Sequence, residues 1–127
     1  MTTSKASFEV KDWQEDEFDS ADGAAKLTKA SVRKEYSGDI TGTSVTEWVM
    51  AYSADGSATF VGIERITGAV DGREGTLVLQ HVGKFEGKAA VADLTVVSGA
   101  GSGGLADVNG AGSLRADPAG HVQLDLD

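Results

Sequence analysis

The chain has 127 residues, 40% of them hydrophobic, and a formal net charge of −9. This length and composition predict one folded domain, residues 1–127, and exclude a disordered chain. The negative charge repels phosphate backbones and anionic lipid headgroups, so we expect neither nucleic acid nor membrane among the partners.

Turn signals such as Asp55-Gly56, Asp71-Gly72 and Glu86-Gly87 recur at short intervals, and the runs between them have strand character. They predict eight strands, near residues 6–13, 26–36, 43–52, 57–70, 74–85, 88–97, 104–115 and 121–126. Short turns predict an antiparallel meander, and closing that sheet removes its two open edges. We therefore predict an all-β fold, a closed eight-stranded antiparallel barrel with little helix. Only residues 14–25 leave room for a short helical piece.

The turns also predict which strand faces line the barrel. A turn over residues 71–73 places Glu64 opposite Gln80, and the Glu86-Gly87 turn places Gln80 opposite Asp93. This register predicts an inner row of Glu64, Gln80 and Asp93. Large side chains would surround that row and contact a ligand: Tyr36, Trp48, Met50, Phe60 and Val78. A slip of one residue would invert every side chain downstream of it.

The predicted inner row has a possible chemical role. Two carboxylates in one low-dielectric lumen cannot both ionise easily, so we expect Glu64 or Asp93 to have a raised pKa. A raised carboxyl pKa suits general acid–base work at neutral pH, with Gln80 as a hydrogen-bonding neighbour. The alternative is a structural hydrogen-bonded network in the core.

Metal and cofactor sites have little support in the sequence. The two histidines lie forty residues apart and lack zinc-ligand spacing. The acidic run over residues 12–22 lacks the spacing of a calcium loop. Residues 99–104 fit the letters GxGxxG, but a predicted strand follows them instead of a helix, so we expect a flexible loop at a barrel mouth and no dinucleotide site. We predict neither metal nor cofactor.

The opposite face of the same strands is also apolar. It would carry Val45, Val49, Val61, Ile63, Leu77, Leu79, Leu94 and Val96, with Arg65 and His81 among them. An exposed apolar face of this kind usually marks a protein interface, so we predict a homo-oligomer. The alternative is that a terminal segment or the 14–25 piece covers the face. For His81 and Arg65, the functional interpretation is that His81 acts as a base or that the position is an anion subsite. The alternative is that the two residues are an interface or surface pair.

Particular segments carry a family resemblance. The most specific are Phe60-Val61-Gly62-Ile63-Glu64-Arg65 and Val78-Leu79-Gln80-His81, accompanied by Phe8-Glu9-Val10 with Trp13, residues 36–42, Asp71-Gly72-Arg73 and Gly101-Ser102-Gly103. On the basis of these segments, the chain resembles the bacterial family called domain of unknown function 3224. The resemblance extends over nearly the whole length of the chain. That family resembles the allene oxide cyclase barrel, which implies an eight-stranded antiparallel barrel. Related barrels include lipid cyclases and dirigent proteins, whose lumens are hydrophobic with a few polar groups.

These observations favour a small-molecule protein. We expect the lumen to hold an apolar ligand, and whether the protein is an enzyme stays open. As an enzyme it would be a cofactor-independent isomerase or cyclase, with Glu64 moving a proton beside Gln80 and Asp93. The alternatives are a non-catalytic binding module and a ligand-free structural oligomer whose own side chains fill the barrel. The lack of cysteine fits a reducing compartment, and no signal-peptide pattern opens the chain, so we expect a cytoplasmic protein.

Overall fold

A computed structural model describes residues 2–127 of the chain as an antiparallel sheet that closes on itself. Its strands are β1 Thr2–Asp19, β2 Leu27–Gly38, β3 Ile40–Tyr52, β4 Ala58–Val70, β5 Arg73–Glu86, β6 Ala89–Val96, β7 Ser102–Gly103, β8 Gly110–Ala116 and β9 Gly120–Leu126. Eight of them form the barrel in the order β1-β2-β3-β4-β5-β6-β8-β9, and β9 pairs back onto β1. Two-residue β7 adds only a short pairing on β5. The predicted closed eight-stranded barrel is confirmed, and the described residues contain no helix.

Strict alternation of side chains sets the lumen face of β2, β3 and β4. On β2, for example, Ala30 and Val32 are buried while the intervening Ser31 is only partly buried and Arg33 is exposed. The predicted inner residues of these three strands are buried in the core: Tyr36, Trp48, Met50, Phe60 and Glu64. Period-two alternation therefore gave the correct face wherever the register was continuous.

The turn between β4 and β5 corrects the predicted register. Val70 pairs with Arg73, so the turn contains only Asp71 and Gly72, whose φ angles are 51° and 81°. Positive φ at both central residues is the type I′ geometry that Asp-Gly favours, because its twist matches that of the flanking strands. The predicted three-residue turn was one residue too long, and this slip inverts the assigned faces of β5 and β6.

The inverted faces change the predicted inner row. Glu64 lies opposite Leu79, and Gln80 and Asp93 are exposed on the outer face. Their predicted placement beside Glu64 is therefore wrong. Val78 is buried, but it lies on the outer side of β5, between Leu77 and Leu79, which face the core; its predicted place in the lumen is wrong too.

The two ends of the barrel differ. At one end, the glycine-rich segment 99–104 is hydrogen-bonded to β5, with the Gly104 amide donating to the Glu74 carbonyl at 2.7 Å. Leu105 and Val108 follow it into the core, so the segment seals this end and is not the flexible loop predicted there. Residues 104–109, predicted as strand, belong to this closing segment, and β8 begins only at Gly110.

At the other end, β1 runs on beyond the barrel wall. Its residues 2–8 pair with β9, whereas the pairing of residues 12–19 is with β2 alone, after a bulge between Val10 and Asp12. The helical piece considered for residues 14–25 is therefore strand as far as Asp19. Among residues 2–127, no helix has the length and apolar character needed to cross a membrane.

Candidate functional site

Glu64 lies at the centre of a buried polar cluster inside the barrel. Its side chain has no solvent exposure. Oε2 accepts hydrogen bonds from Tyr36 Oη at 2.7 Å and from Ser44 Oγ at 2.6 Å, and Lys34 Nζ lies 3.5 Å away. Oε1 lies 2.9 Å from His81 Nε2. The donors come from β2, β3 and β5, so the barrel's closure assembles the cluster around β4.

His81 is held between Glu64 and Trp48. Trp48 Nε1 donates to His81 Nδ1 at 3.2 Å. An indole N–H is only a donor, so Nδ1 carries a lone pair and Nε2 carries the proton that it donates to Glu64. This tautomer is assigned from the hydrogen-bonding partners. His81 is thus a neutral imidazole whose basic nitrogen points away from the carboxylate.

A glycine makes the contact between Trp48 and His81 possible. Trp48 lies on β3 and His81 on β5, and the residue between them on β4 is Gly62. A Cβ added to Gly62 would come within 2.4 Å of Trp48 Cδ1 and 2.1 Å of the Glu47 carbonyl oxygen. The indole therefore crosses β4 where that strand has no side chain.

Lys34 is the buried cation of the cluster. Its amine contacts Glu64 at the long distance of 3.5 Å, and the remaining space around it is aromatic. Nζ lies 4.5 Å from the ring centroid of Phe8 and 5.4 Å from that of Trp48. Cation–π attraction supplements a single charge contact here.

Burial and charge act in opposite directions on these groups. Burial alone would raise the pKa of Glu64, but Lys34 and the hydrogen bonds from His81 and Ser44 lower it to about 2. Burial lowers the pKa of Lys34, and Glu64 offsets part of that effect. Burial, together with the Glu64 charge, raises the pKa of Tyr36. The raised carboxyl pKa expected from two lumen carboxylates is not found, because Asp93 lies outside and Lys34 lies inside.

Chemically, the cluster is a fixed carboxylate that orients an imidazole. Glu64 is an anion throughout the neutral range and is surrounded by donors. It holds the proton of His81 on Nε2, which leaves the Nδ1 lone pair facing Trp48. Such a carboxylate–imidazole pair can accept a hydrogen bond or a proton at Nδ1.

Thr46 adds an unpartnered hydroxyl to the same wall. It lies directly opposite Glu64 in the β3–β4 pairing and is 1% exposed. Its Oγ1 is the one buried side-chain polar atom without a hydrogen-bond partner among the described residues. Leaving a buried hydroxyl unsatisfied costs about 1–3 kcal/mol.

The lumen therefore has two different walls. Polar side chains occupy the wall formed by β2 to β5. The wall formed by β6, β8 and β9 is lined by aliphatic side chains: Ala92, Leu94, Leu114, Val122 and Leu124. Such an arrangement suits a molecule that is apolar on one side and carries hydrogen-bonding groups on the other.

Trp13 covers the cluster at the open end of the barrel. Its ring packs edge-on against Trp48 with a centroid distance of 5.6 Å, yet 39% of Trp13 is exposed. Trp13 Nε1 donates to Glu15, which also accepts hydrogen bonds from Thr28 and Tyr52. Although burial opposes the effect, these hydrogen bonds lower the pKa of Glu15. The overhanging half of β1 is thus tied down over Trp48.

The side chains of Glu64, Lys34 and His81 lie in the barrel interior without solvent exposure. None of five depressions described over residues 2–127 is lined by any of the three. The depression nearest to the cluster has a volume of about 740 Å³ and reaches Phe8 and Tyr36. A ligand would therefore have to displace a side chain.

The sequence identified Glu64, Tyr36, Trp48, Met50 and Phe60 as inner residues, and the structure brings them together. It missed Lys34, Ser44 and Thr46, although period-two alternation places each of them on the same faces as Tyr36 and Trp48. It placed His81 on the outer face because of the turn error.

The outer apolar face is smaller than predicted. Leu77, Leu79, Leu94 and Val96 are buried, as is His81, because the turn correction moves them inward. Five aliphatic residues of β3, β4 and β5 remain about half exposed: Val45, Val49, Val61, Ile63 and Val82. Over residues 2–127, no group of three or more His, Cys, Asp or Glu side chains is arranged to hold a metal ion.

Comparison with known proteins supports the fold. A family model described as "Protein of unknown function (DUF3224)" matches residues 4–127, which confirms the resemblance noted in the sequence. The chain is also similar to the crystal structure of a protein with unknown function from the DUF3224 family of Shewanella oneidensis MR-1. The TM-score is 0.85 at 27% sequence identity, covering 100% of this chain and 97% of that chain. No curated protein matches the chain.

Proposed function

The chain belongs to the DUF3224 family, whose description assigns no activity, and we propose from its lumen that the barrel binds a small, largely apolar molecule. The observation that carries the proposal is the contact between Trp48 and His81. The indole N–H of Trp48 donates a hydrogen bond to Nδ1, the unprotonated nitrogen of His81, while Glu64 fixes the orientation of that imidazole. A ligand with an aromatic or alicyclic body and one O–H or N–H donor would take that position when Trp48 moves.

Three further observations support this binding mode. The unpartnered Thr46 hydroxyl lies on the same wall, two residues from Trp48 on β3. The opposite wall is aliphatic and would contact the apolar body of the ligand. Trp13, which is 39% exposed, packs on Trp48, and movement of this partly exposed ring would make room for Trp48 to move.

The proposal also places any proton transfer differently from the sequence-based expectation. With its pKa near 2, Glu64 is a poor acid or base at neutral pH and serves as a fixed anion. His81 Nδ1 would be the group that accepts a proton from a bound molecule. A cofactor-independent isomerisation on this barrel would therefore depend on His81, with Glu64 as its positioning residue.

A pair of probes tests the binding mode by isothermal titration calorimetry. The first probe is 2-naphthol, which has an aromatic body and one O–H donor, and the second is 2-methoxynaphthalene, which lacks the donor. We expect 2-naphthol to bind about tenfold more tightly than 2-methoxynaphthalene, because one net hydrogen bond contributes about that much to affinity. The variant Trp48→Phe frees Nδ1 and should bind 2-naphthol more tightly than the wild type.

His81→Leu is the control, since it removes Nδ1 and offers the O–H of a bound probe no acceptor at this position. The preference for 2-naphthol should disappear in this variant while circular dichroism shows an intact fold. Equal binding of both probes to the wild type, or no binding of 2-naphthol even to Trp48→Phe, would show that the Trp48 position is not a ligand site.

A second candidate role is self-association, favoured by the exposed face of β3, β4 and β5. Val49, Val61 and Val82 lie side by side in one cross-strand row, with Lys29 next to Val49 and Asp93 next to Val82. When a second copy packs on this face about a two-fold axis along β4, the Lys29 end of each row meets the Asp93 end of the other. Apolar contact in the centre and opposite charges at the rim favour a homodimer.

Sedimentation velocity tests this second role. Val61→Lys puts a charge in the middle of the face and should shift a dimer to monomer. Gln123→Lys, an exposed change on β9 outside this face, is the control and should leave the sedimentation coefficient unchanged. A wild-type protein that sediments as a monomer at high concentration would eliminate the homodimer.

A further inference from the structure

Lys34 has an environment that an ordinary structural ion pair does not need. The whole side chain is buried, and its one polar contact, to Glu64, is 3.5 Å long. Tyr36 and Ser44 already donate shorter hydrogen bonds to the same carboxylate oxygen. The contact between the Lys34 amine and Glu64 is therefore weak, and the aromatic rings of Phe8 and Trp48 form the rest of the amine's surroundings.

The Phe8 ring lies against this amine, and Phe8 and Tyr36 also line a surface depression. The depression that reaches them lies where β1 leaves β9, and its far side is the turn from Ala116 to Gly120. Gly120 faces the Phe8 ring so closely that a Cβ there would lie 2.5 Å from the ring carbons. A rotation of Phe8 away from this turn would connect the depression with Lys34 Nζ.

From this geometry we infer that Lys34 is a nucleophile that captures small, neutral aldehydes or ketones as an imine. Nζ in its neutral form attacks the carbonyl carbon, forming the C–N bond as the carbonyl π bond breaks. The two amine hydrogens and the carbonyl oxygen then leave as one water molecule, so no electrons are gained or lost. The third proton of the ammonium form passes to solvent before the attack. Amines desolvated in apolar pockets are suited to this chemistry.

The substrate class follows from the walls of the site. Phe8, Tyr36 and Trp48 present aromatic faces, and the carboxylate of Glu64 disfavours a ligand that carries its own negative charge. A flat, uncharged carbonyl compound fits these surroundings. This reaction does not depend on the ligand proposed to bind at the Trp48 position, because the carbonyl compound would reach the Lys34 amine past Phe8.

Reductive trapping tests the inference with benzaldehyde as the probe. The protein is incubated with benzaldehyde and cyanoborohydride at about pH 6, and adducts are located by intact mass and peptide mapping. Each unit by which a lysine pKa falls raises the neutral amine fraction about tenfold. Burial lowers the pKa of Lys34, so we expect its peptide to be labelled faster than that of any other lysine.

Two matched variants identify the reacting amine. Lys34→Arg keeps a cation beside Glu64 but cannot form the imine, so the dominant adduct should be lost. Lys84→Arg changes an exposed lysine paired with Glu86 and should leave the dominant adduct in place. Urea unfolding of both variants checks that each is folded under the labelling conditions.

The access route has its own variant. Phe8→Leu removes part of the cover over Lys34 and should raise the labelling rate several-fold. Labelling of wild-type Lys34 no faster than that of Lys84 would overturn the inference. The titrations with 2-naphthol are independent of this result, so loss of the imine and loss of the ligand site are separately observable.

Discussion

Replacing Glu64 by Gln tests the central electrostatic argument. The change preserves side-chain volume but leaves the Lys34 ammonium buried without a counter-charge, and in either orientation the new amide N–H faces a donor, the His81 N–H or the Lys34 ammonium. Removing one partner of a buried ion pair costs about 3–5 kcal/mol. For 127 residues, an unfolding entropy of about 2.1 cal/mol/K per residue converts this loss into a Tm lower by about 10–20 °C.

A double-mutant cycle in urea provides the assay. The four proteins are the wild type, Glu64→Gln, Lys34→Met and the double variant, with unfolding followed by tryptophan fluorescence and by circular dichroism. Each single change leaves one charge stranded, whereas the double change removes both. We expect the double variant to be about 1–3 kcal/mol more stable than the sum of the single effects implies.

The matched control is Glu47→Gln, which removes the exposed carboxylate that lies 3.8 Å from Lys29. A surface pair of this kind contributes less than about 1 kcal/mol. Our reasoning is refuted when Glu64→Gln costs no more than Glu47→Gln, or when the two cluster changes are additive within about 0.5 kcal/mol.

Three further predictions concern the same cluster. First, the folded-state pKa of Glu64, about 2, lies below its ordinary value of 4.5, so its stabilisation is present above about pH 4.5 and is lost as pH falls towards 2. As pH falls through that window, the free energy of unfolding of the wild type should therefore decrease by about 3 kcal/mol more than that of Glu64→Gln. Parallel plots of unfolding free energy against pH for the two proteins would contradict this prediction. Second, Gly62→Ala should push the Trp48 indole off His81, destabilising the barrel and shifting Trp48 emission, whereas Gly72→Ala, with open space around its Cβ, should cost only about 1 kcal/mol of backbone strain. Third, Glu15→Ala should release Trp13 and increase its quenching by acrylamide, while Glu17→Ala, which removes an exposed carboxylate of the same strand, should not. Equal quenching in both variants would mean that Glu15 does not hold Trp13.

Alternation along the chain was sufficient to predict much of this barrel. It placed Trp48, Phe60 and Glu64 inside because each lies on an uninterrupted run from a well-defined turn. The same rule applied to Lys34 would have placed it inside as well, since it stands between Val32 and Tyr36. A lysine in that register conflicts with its usual exposure, and the conflict was the clearest sequence signal of a buried charge.

The part that alternation could not predict depends on one turn. Whether Asp71-Gly72 or Asp71-Gly72-Arg73 forms the turn decides whether Gln80 or His81 faces Glu64. The two-residue turn needs positive φ at a non-glycine residue, which Asp71 accepts at 51°. Hydrophobic pattern did not settle the choice, because both faces of β5 carry aliphatic residues.

The extension of β1 was missed for a different reason. Residues 12–19 are largely charged and carry no alternating apolar pattern, so no face of them predicts burial. They form a strand because the exposed edge of β2 offers backbone partners from Leu27 to Arg33. Local composition is a weak guide where an existing sheet edge supplies the hydrogen bonds.

The cluster is difficult to explain by stability alone. Well-packed apolar side chains in place of a buried ion pair are often as stabilising or more so, and the other wall of this lumen is already aliphatic. Thr46 adds a hydroxyl whose hydrogen bond is missing, and Trp48 uses its indole N–H on an imidazole that a neutral core would not contain. A barrel selected only to hold its shape would lose these groups at little cost. Their concentration on one wall, beside Phe8 and Trp48, is the observation on which our proposal of a ligand-binding lumen rests.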